Sequence, residues 1–215
     1  MSSKLLVSDF DGTMTRREFY RLAIDQLIPR DCLDHWKDYR EGRTTHFDAL
    51  NRYFQSIRAT EQQVWDLLAK MELEPRLAEL VKSLETAGWR VVIASAGSAW
   101  YIERLLNQAG VALEIHANPG SFDPATGLKM RLPTESPYFS REIGIDKAAV
   151  VRAGLRRGSV VAFAGDGFPD ADAARLVPDD LRFARGDLAS LLIAEGLPFR
   201  TFRRWSEVAE CLLSD

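Results

Sequence analysis

The sequence comprises 215 residues, which is long enough to bury one hydrophobic core and to carry a smaller second unit. Its hydrophobic content of 46% and its charged content of 27% are those of an ordinary globular protein. A formal net charge of −3 argues against a protein that binds nucleic acid through a broad basic surface. These properties favour a small-molecule partner over a nucleic acid.

The cysteines and the N-terminal residues bear on the location of the protein. Cys32 and Cys211 are too few for a disulfide framework, which favours a reducing compartment. The apolar segment 5–7 that precedes Asp9 is too short for a signal peptide or a membrane span. The sequence therefore predicts a cytoplasmic protein without a membrane partner.

The first predicted element is a buried strand over residues 4–7, which leads into Asp9 and Asp11. Because strand side chains alternate with a period of two, both carboxylates lie on one face. Two close anions disfavour each other's ionised forms, so a cation normally holds such a pair, and Mg²⁺ suits carboxylate oxygens. A solvated turn closed by Gly12 is the alternative interpretation, and this stretch alone does not decide between the two.

Residues 15–70 are predicted to be helical throughout, because apolar residues recur at spacings of three and four and no strand-like segment interrupts them. Pro29 separates the first helix from the second. Thr60 and Gln63 match a capping box that opens a fourth helix. The segment therefore predicts four successive helices.

From Pro75 onward, predicted helices alternate with predicted strands, which is the pattern of a doubly wound parallel sheet. The predicted segments are helix 75–87, strand 89–94, helix 99–109, strand 113–117, a hairpin flanked by turns 118–120 and 123–127, helix 147–155, strand 159–164, helix 171–176, strand 181–184, helix 188–195 and a final strand and helix.

The predicted fold class is therefore α/β, a Rossmann-like doubly wound parallel sheet with a small all-helical cap inserted after the first strand. We assign residues 1–14 and 72–215 to the core and residues 15–71 to the cap. In open α/β sheets ligands bind at the carboxyl ends of the strands, and an insert leaving just after Asp11 is expected to cover them.

Ser95 ends the predicted strand 89–94 and stands before a helix. A serine hydroxyl beside free N–H groups at a helix start is suited to phosphate oxygens. The alternative is that Ser98 caps the helix and Ser95 is a turn residue.

Lys147 begins a predicted helix, where a cation is unfavourable with respect to the helix dipole. It is either a solvated surface residue or a residue aimed at an anion; Lys129, in the predicted hairpin, is the alternative lysine. Asp166 follows a buried strand and Asp170 comes four residues later, so two acids collect at another strand end. A loop that caps the next helix would explain Asp170 but not Asp166.

Four parts of the chain resemble, in order, the motifs of the haloacid dehalogenase superfamily of phosphohydrolases. They are D-F-D-G-T-x-T at residues 9–15, I-A-S-A-G at residues 93–97, Lys147, and G-D-G-x-x-D at residues 165–170. The resemblance covers the whole chain. It implies a phosphomonoesterase that requires Mg²⁺ and hydrolyses a small-molecule phosphate ester through an aspartyl-phosphate intermediate.

The resemblance also implies a role for each motif residue. The catalytic residues would be Asp9 as nucleophile, Asp11 as general acid and base, and Lys147 as the group that neutralises phosphate and orients the nucleophile. The phosphate-binding residues would be Thr13, Ser95, Ala96 and Lys147. The residues that bind Mg²⁺ would be Asp9, Asp11 through its main-chain carbonyl, Asp166 and Asp170.

Within the superfamily, the helical insert resembles the small C1-type cap of the phosphoserine phosphatase-like group, subfamily IB. Glu18 stands where the phosphoserine enzymes bind the substrate amino group, and Arg52 falls one residue away from their carboxylate-binding arginine. Residues 95–98 and 167–170 depart from those enzymes. Residues 136–147 and the C-terminal half look more like the methionine-salvage branch, whose substrate is 2-hydroxy-3-keto-5-methylthiopentenyl 1-phosphate.

Phosphoserine phosphatase is the alternative function within the same family. A receiver-like signalling module or a phosphate-binding module is the alternative from another class. A receiver fold carries no helical insert after its first strand, and a binding module does not explain the catalytic residues together. His35, His46 and His116 show no metal-ligand spacing and receive no role. We expect a monomer or a homodimer.

Overall fold

A computed structural model describes residues 3–214. Its centre is a six-stranded sheet in the order β10-β9-β8-β1-β2-β3, in which every neighbouring pair is parallel. These strands are β1 (Lys4–Ser8), β2 (Trp89–Ser98), β3 (Glu114–Asn118), β8 (Val160–Gly165), β9 (Arg182–Ala184) and β10 (Arg200–Thr201). From β1 the chain builds the sheet toward one edge through β2 and β3. It then returns to β8, on the other side of β1, and builds toward the opposite edge through β9 and β10, so the strand order reverses between β1 and β8.

Helices cover both faces of this sheet. They are α5 (Leu77–Thr86), α6 (Ala99–Gln108), α7 (Lys147–Arg156), α8 (Ala171–Ala174), α9 (Gly186–Ala194) and α10 (Trp205–Ser214). Successive residues of β1 enter opposite layers: Leu6 packs in one hydrophobic cluster, whereas Leu5 and Val7 pack in the other. The predicted α/β fold class is confirmed.

Four helices lie between β1 and α5, as the helical spacing predicts. They are α1 (Phe19–Gln26), α2 (His35–Arg40), α3 (His46–Gln55) and α4 (Glu61–Ala69). The capping box of α4 is present, with Thr60 accepting from the Gln63 amide and Gln63 accepting from the Thr60 amide. An isolated antiparallel bridge pairs Thr15 with Leu73 where the chain enters and leaves this segment. The exact division between cap and core stays a prediction.

Two short hairpins complete the elements. One joins β4 (Gly120–Asp123) to β5 (Gly127–Met130), as predicted, and the other joins β6 (Phe139–Ser140) to β7 (Gly144–Ile145). Two-residue strands have no periodicity to detect, which explains why the sequence did not predict the second hairpin. No helix within residues 3–214 is long and apolar enough to cross a membrane.

The first hairpin connects the helical insert to the core. The Asn51 side chain of α3 donates to the Met130 carbonyl and accepts from the Met130 amide, at 3.3 and 2.8 Å. Gly127, at φ +77°, lies so close to the α3 end that a Cβ placed there would stand 2.5 Å from the Phe54 carbonyl oxygen. The insert is therefore held against the core over the carboxyl ends of the strands.

Candidate active site

A cavity of approximately 840 Å³ lies between the carboxyl ends of the central strands and the helical insert. The predicted site residues that line it are Asp9, Asp11, Glu18, Ser95, Ala96, Lys147, Asp166 and Asp170. Glu18 is the N-cap of α1 in the helical insert. The other residues come from β2, from the start of α7 or from the segments that follow β1 and β8, because parallel strands present their carboxyl ends at one edge. The structure thus brings together residues spread over more than 150 positions of the chain.

Lys147 lies at the floor of this cavity, between two aspartates. Its Nζ is 2.8 Å from Asp9 Oδ1 and 2.6 Å from Asp170 Oδ1, and side-chain exposures of 3%, 8% and 1% show that all three groups are buried. The lysine reaches this position because α7 begins at residue 147, with Asp146 accepting from the Ala149 amide as the N-cap. The structure therefore supports the interpretation that Lys147 is aimed at an anion over the interpretation that it is a solvated surface residue.

Three carboxylates crowd the same point. Oxygens of Asp9, Asp166 and Asp170 lie within 4.8 Å of one another. The second oxygen of Asp170 accepts from the backbone amides of Asp166 and Gly167, at 3.0 and 2.9 Å, which fixes this loop. The pKa of Asp9 is raised to about 7, chiefly by burial. Within that net shift, the charge of Lys147 acts to lower the pKa and the charge of Asp170 acts to raise it. Burial, followed by the charge of Asp9, raises the pKa of Asp166.

The chemistry of this donor set fits Mg²⁺. Three carboxylates beside one ammonium group leave two negative charges in a buried place, which a divalent cation would neutralise. Gly12 makes room for the arrangement, since a Cβ there would stand 2.1 Å from Asp166 Oδ2, and its φ of +70° is one that favours glycine. Asp9, Asp166 and Asp170 are therefore the side chains that would hold a metal ion.

Thr13 lies apart from the predicted phosphate-binding residues. Its side chain is buried and its hydroxyl donates to Asp166 Oδ1 at 3.2 Å, and it is not among the residues that line the cavity. The Thr13 hydroxyl thus contacts Asp166, and the phosphate contact that the family resemblance implies for Thr13 stays a prediction.

The carboxyl end of β2 occupies another side of the cavity. Ser95 Oγ accepts from the Gly97 amide at 3.0 Å, and the Asn118 side chain donates to the Ala96 carbonyl at 2.8 Å. Ser98 accepts from the Trp100 amide at 3.3 Å and caps α6, so the capping interpretation is correct for Ser98 while Ser95 still lines the cavity.

Asp11 lies at the boundary between the core and the helical insert. Its Oδ1 accepts from the Phe19 amide at 2.9 Å, and its Oδ2 accepts from the Tyr101 hydroxyl at 2.6 Å. Burial raises the pKa of Asp11 to about 6, while the hydrogen bonds from Tyr101 and Phe19 lower it. Tyr101 is not among the predicted site residues, because an aromatic residue on the inner face of α6 has the spacing of an ordinary core residue.

The wall of the cavity formed by the helical insert is largely aromatic. Tyr20, Trp36 and Tyr39 line it together with His46, whose ring stands 5.0 Å from the Trp36 ring and 5.6 Å from the Tyr39 ring. His46 Nδ1 is buried without a hydrogen-bond partner among the described residues. Burial lowers the pKa of His46 to about 4, so its imidazole is neutral at pH 7. The sequence gives no sign that His46 lies at the cavity, because no other potential metal ligand or catalytic residue stands at a recognisable spacing from it.

The two predicted specificity residues lie in different places. Glu18 lines the cavity and is paired with Arg21 at 2.8 Å. Arg52 is not among the lining residues; its side chain is half exposed and its guanidinium is 3.7 Å from Asp38. The structure therefore brings Glu18, but not Arg52, to the cavity that holds the predicted catalytic residues.

Comparisons of the sequence place the chain among known hydrolases. The family model for haloacid dehalogenase-like hydrolases matches residues 6–175. A 2-hydroxy-3-keto-5-methylthiopentenyl-1-phosphate phosphatase from Microcystis aeruginosa is 26% identical over 98% of both chains. An enzyme of the same name from Exiguobacterium is 22% identical over 92% of this chain and 93% of its own.

Solved structures show the same fold. A substrate-bound phosphoserine phosphatase superposes with a TM-score of 0.67 over 98% of both chains, at 14% identity. A haloacid dehalogenase family hydrolase from Salmonella enterica gives a TM-score of 0.69 over all of this chain and 72% of its own, at 16% identity. Since the family model covers most of the sequence and the fold agrees, this chain belongs to the haloacid dehalogenase-like hydrolase family.

Proposed function

We propose that this protein is a Mg²⁺-dependent phosphomonoesterase that hydrolyses a small-molecule phosphate ester through an aspartyl-phosphate on Asp9. One observation carries the proposal: Lys147 bonds the buried carboxylate of Asp9 at 2.8 Å, beside Asp166 and Asp170. A carboxylate that attacks a phosphate dianion meets repulsion between anions, and positive charge at this place reduces it. The curated relatives, which are named phosphatases, give independent support.

The residues divide the reaction into two displacements. Lys147 holds Oδ1 of Asp9, which leaves Oδ2 to attack phosphorus. As the new P–O bond forms, the bond to the ester oxygen breaks, and Asp11 gives that oxygen a proton. Asp11, now ionised, then takes a proton from water as the water attacks phosphorus, the Asp9–phosphorus bond breaks, and inorganic phosphate and free Asp9 remain.

The remaining site residues bind and orient. Asp9, Asp166 and Asp170 with the main-chain carbonyl of Asp11 would hold Mg²⁺, which when bound supplies positive charge against the phosphate oxygens. Ser95 and Ala96 line the cavity from the β2 side, where the Ser95 hydroxyl, which accepts from the Gly97 amide, would donate to a phosphate oxygen. Thr13 would keep Asp166 in position.

For the substrate we favour the methionine-salvage ester, 2-hydroxy-3-keto-5-methylthiopentenyl 1-phosphate. The aromatic wall of Tyr20, Trp36 and Tyr39 suits an apolar methylthio group, and the relatives with this activity match the whole chain. Phosphoserine is the second candidate, supported by Glu18 at the cavity. It is weakened because Arg52 does not reach the cavity to bind a carboxylate.

The expected partners and location follow from this proposal. A small phosphate ester is the partner, without nucleic acid or membrane, and a reaction on such a metabolite supports the cytoplasmic location that the cysteines favour. A monomer or a homodimer remains the expected state. The division into a core of residues 1–14 and 72–215 and a cap of residues 15–71 is part of the same proposal, with the cap as the wall that selects the ester.

The test is phosphate release from a panel of esters, measured with Mg²⁺ and with EDTA. The panel contains the methylthio ester, phosphoserine, phosphocholine, phosphoethanolamine and sugar phosphates. We expect catalytic turnover that requires Mg²⁺, with the methylthio ester ahead of phosphoserine. Stoichiometric phosphate uptake without release would instead identify a receiver, and folded protein that releases no phosphate from any ester would contradict the proposal.

A further inference from the structure

Asp11 has two hydrogen-bond donors within the described residues, and they come from different parts of the fold. The Phe19 amide belongs to the first residue of α1 in the helical insert. The Tyr101 hydroxyl, at 2.6 Å, comes from the core helix α6. Tyr101 is 1% exposed, and its ring stacks on that of Phe19 with centroids 4.5 Å apart. One amide and one hydroxyl therefore fix the two oxygens of one buried carboxyl group.

A neighbouring glycine leaves the space that this contact needs. A Cβ on Gly97 would stand 1.9 Å from the Tyr101 hydroxyl oxygen and 2.9 Å from Asp11 Oδ2. Gly97 lies in the cavity-lining end of β2, next to Ser95 and Ala96. The carboxyl end of β2 thus passes directly beside the hydrogen bond between Tyr101 and Asp11, and a larger residue at position 97 would displace it.

The chemistry of the two donors is unequal. A backbone amide can only donate, whereas a tyrosine hydroxyl can donate to a carboxylate or accept from a carboxylic acid. Tyr101 can therefore keep its contact with Asp11 in both protonation states through which a general acid and base passes. Without the hydroxyl, a single amide at Oδ1 would leave the carboxyl group free to rotate about its Cβ–Cγ bond.

We propose that Tyr101 is a positioning residue for Asp11, whose hydroxyl holds the carboxyl group in the orientation from which it protonates the leaving oxygen. The inference rests on the proposed function, because Asp11 has a proton to deliver only if a phosphate ester is cleaved here. Orientation matters because small displacements of a catalytic group reduce the rate steeply.

The test compares two esters of similar size in wild type and in Tyr101→Phe. Benzyl phosphate has a poor leaving group that requires a proton, whereas 4-nitrophenyl phosphate has a good one that departs without it. The Tyr101→Phe ring can still stack on Phe19. We expect kcat/KM for benzyl phosphate to fall about 10- to 100-fold, less than the full contribution of a general acid, and kcat/KM for 4-nitrophenyl phosphate to fall less than about 3-fold.

The ratio of the two kcat/KM values is the decisive quantity, because it does not depend on the fraction of the variant that is folded. The matched control is Tyr138→Phe, since the Tyr138 ring packs on His116 away from the cavity and its hydroxyl has no partner in residues 3–214. That control should keep the wild-type ratio. Equal losses on both esters, or no loss on either, would overturn the assignment of Tyr101. Wild-type protein that releases no phosphate with Mg²⁺ from these two esters or from the panel of esters given above would contradict the proposed function itself.

Discussion

The edge of the sheet that carries the predicted catalytic residues and the wall formed by the helical insert hold their charges in opposite ways. At the edge, Lys147 and its two aspartate partners are no more than 8% exposed. On the insert, Arg52 and Asp38 are 50% and 37% exposed, at 3.7 Å. Buried pairs fix geometry because each charge has already lost its water on folding and is left uncompensated if its partner is removed, whereas exposed pairs are screened and contribute little. In the proposed function, the edge would determine the chemistry and the wall would select the ester.

The largest effect is expected from Asp9→Asn at the edge. The amide keeps the shape of the carboxylate but is a far weaker nucleophile, so turnover of the best ester should fall at least about 10⁴-fold. The midpoint of thermal unfolding should not fall, since one of several crowded negative charges is removed. Phosphate release and thermal unfolding measure the two quantities. Near-normal turnover in this variant would contradict the role of Asp9.

The next effect concerns stability and compares the two regions directly. Lys147→Met leaves Asp9 and Asp170 without their cation, which should lower the free energy of unfolding by about 3–5 kcal/mol without Mg²⁺. Arg52→Met is the matched control on the insert, where loss of an exposed pair should cost less than about 1 kcal/mol. Urea unfolding in EDTA measures both. Similar losses in the two variants would remove the contrast between edge and wall.

A smaller effect is expected from pH. Burial raises the pKa of Asp9 from 3.8 to about 7, so without metal the folded protein binds a proton that the unfolded chain has already lost. Stability in EDTA should therefore fall as pH rises from 6 to 8, by about 1.4 kcal/mol or roughly 3–5 °C for Asp9 alone. A bound Mg²⁺ would take the place of that proton, so the difference should shrink with the ion present. The Asp9→Asn variant isolates this contribution, and a change in the unfolding midpoint between pH 6 and pH 8 that is the same in wild type and in Asp9→Asn would refute the linkage.

The smallest effects are expected on the wall. Trp36→Ala removes an aromatic surface of the cavity and should raise KM for the preferred ester roughly 10-fold, which corresponds to about 1.4 kcal/mol. Arg52→Ala should change KM less than about 2-fold, because Arg52 does not line the cavity. Steady-state kinetics with the methylthio ester and with phosphoserine measure both. A large loss on phosphoserine alone in Arg52→Ala would instead revive the phosphoserine assignment.

The sequence predicted the edge better than the wall, for a physical reason. Asp9, Lys147 and Asp166 each stand at a strand end or a helix start, and the alternation of strands and helices alone brings such positions to one edge. The family relationship that these motifs indicate is confirmed by the family model. Their individual roles stay predictions.

The contacts that the sequence did not predict depend on tertiary packing. Tyr101 and His46 have the helical spacing of core residues, and nothing local distinguishes a ring that meets Asp11 or the cavity from one that meets leucine. Thr13 lies in the predicted motif, yet the contact of its hydroxyl with Asp166 depends on the fold. The expectation that Arg52 binds substrate depends only on its distance along the chain. Because a helix start that shifts by one residue rotates each side chain by about 100°, that distance does not determine whether Arg52 faces the cavity.

The contact between Trp205 and Ser8 has a consequence for the order in which the protein matures. Trp205 Nε1 donates to Ser8 Oγ at 3.1 Å, and Ser8 Oγ donates to the Asp9 carbonyl at 2.7 Å. The helix that begins at residue 205 thus supports the backbone of Asp9, 196 residues earlier in the chain. During translation Asp9 is made before Trp205, so Asp9 gains this support only after translation has passed Trp205.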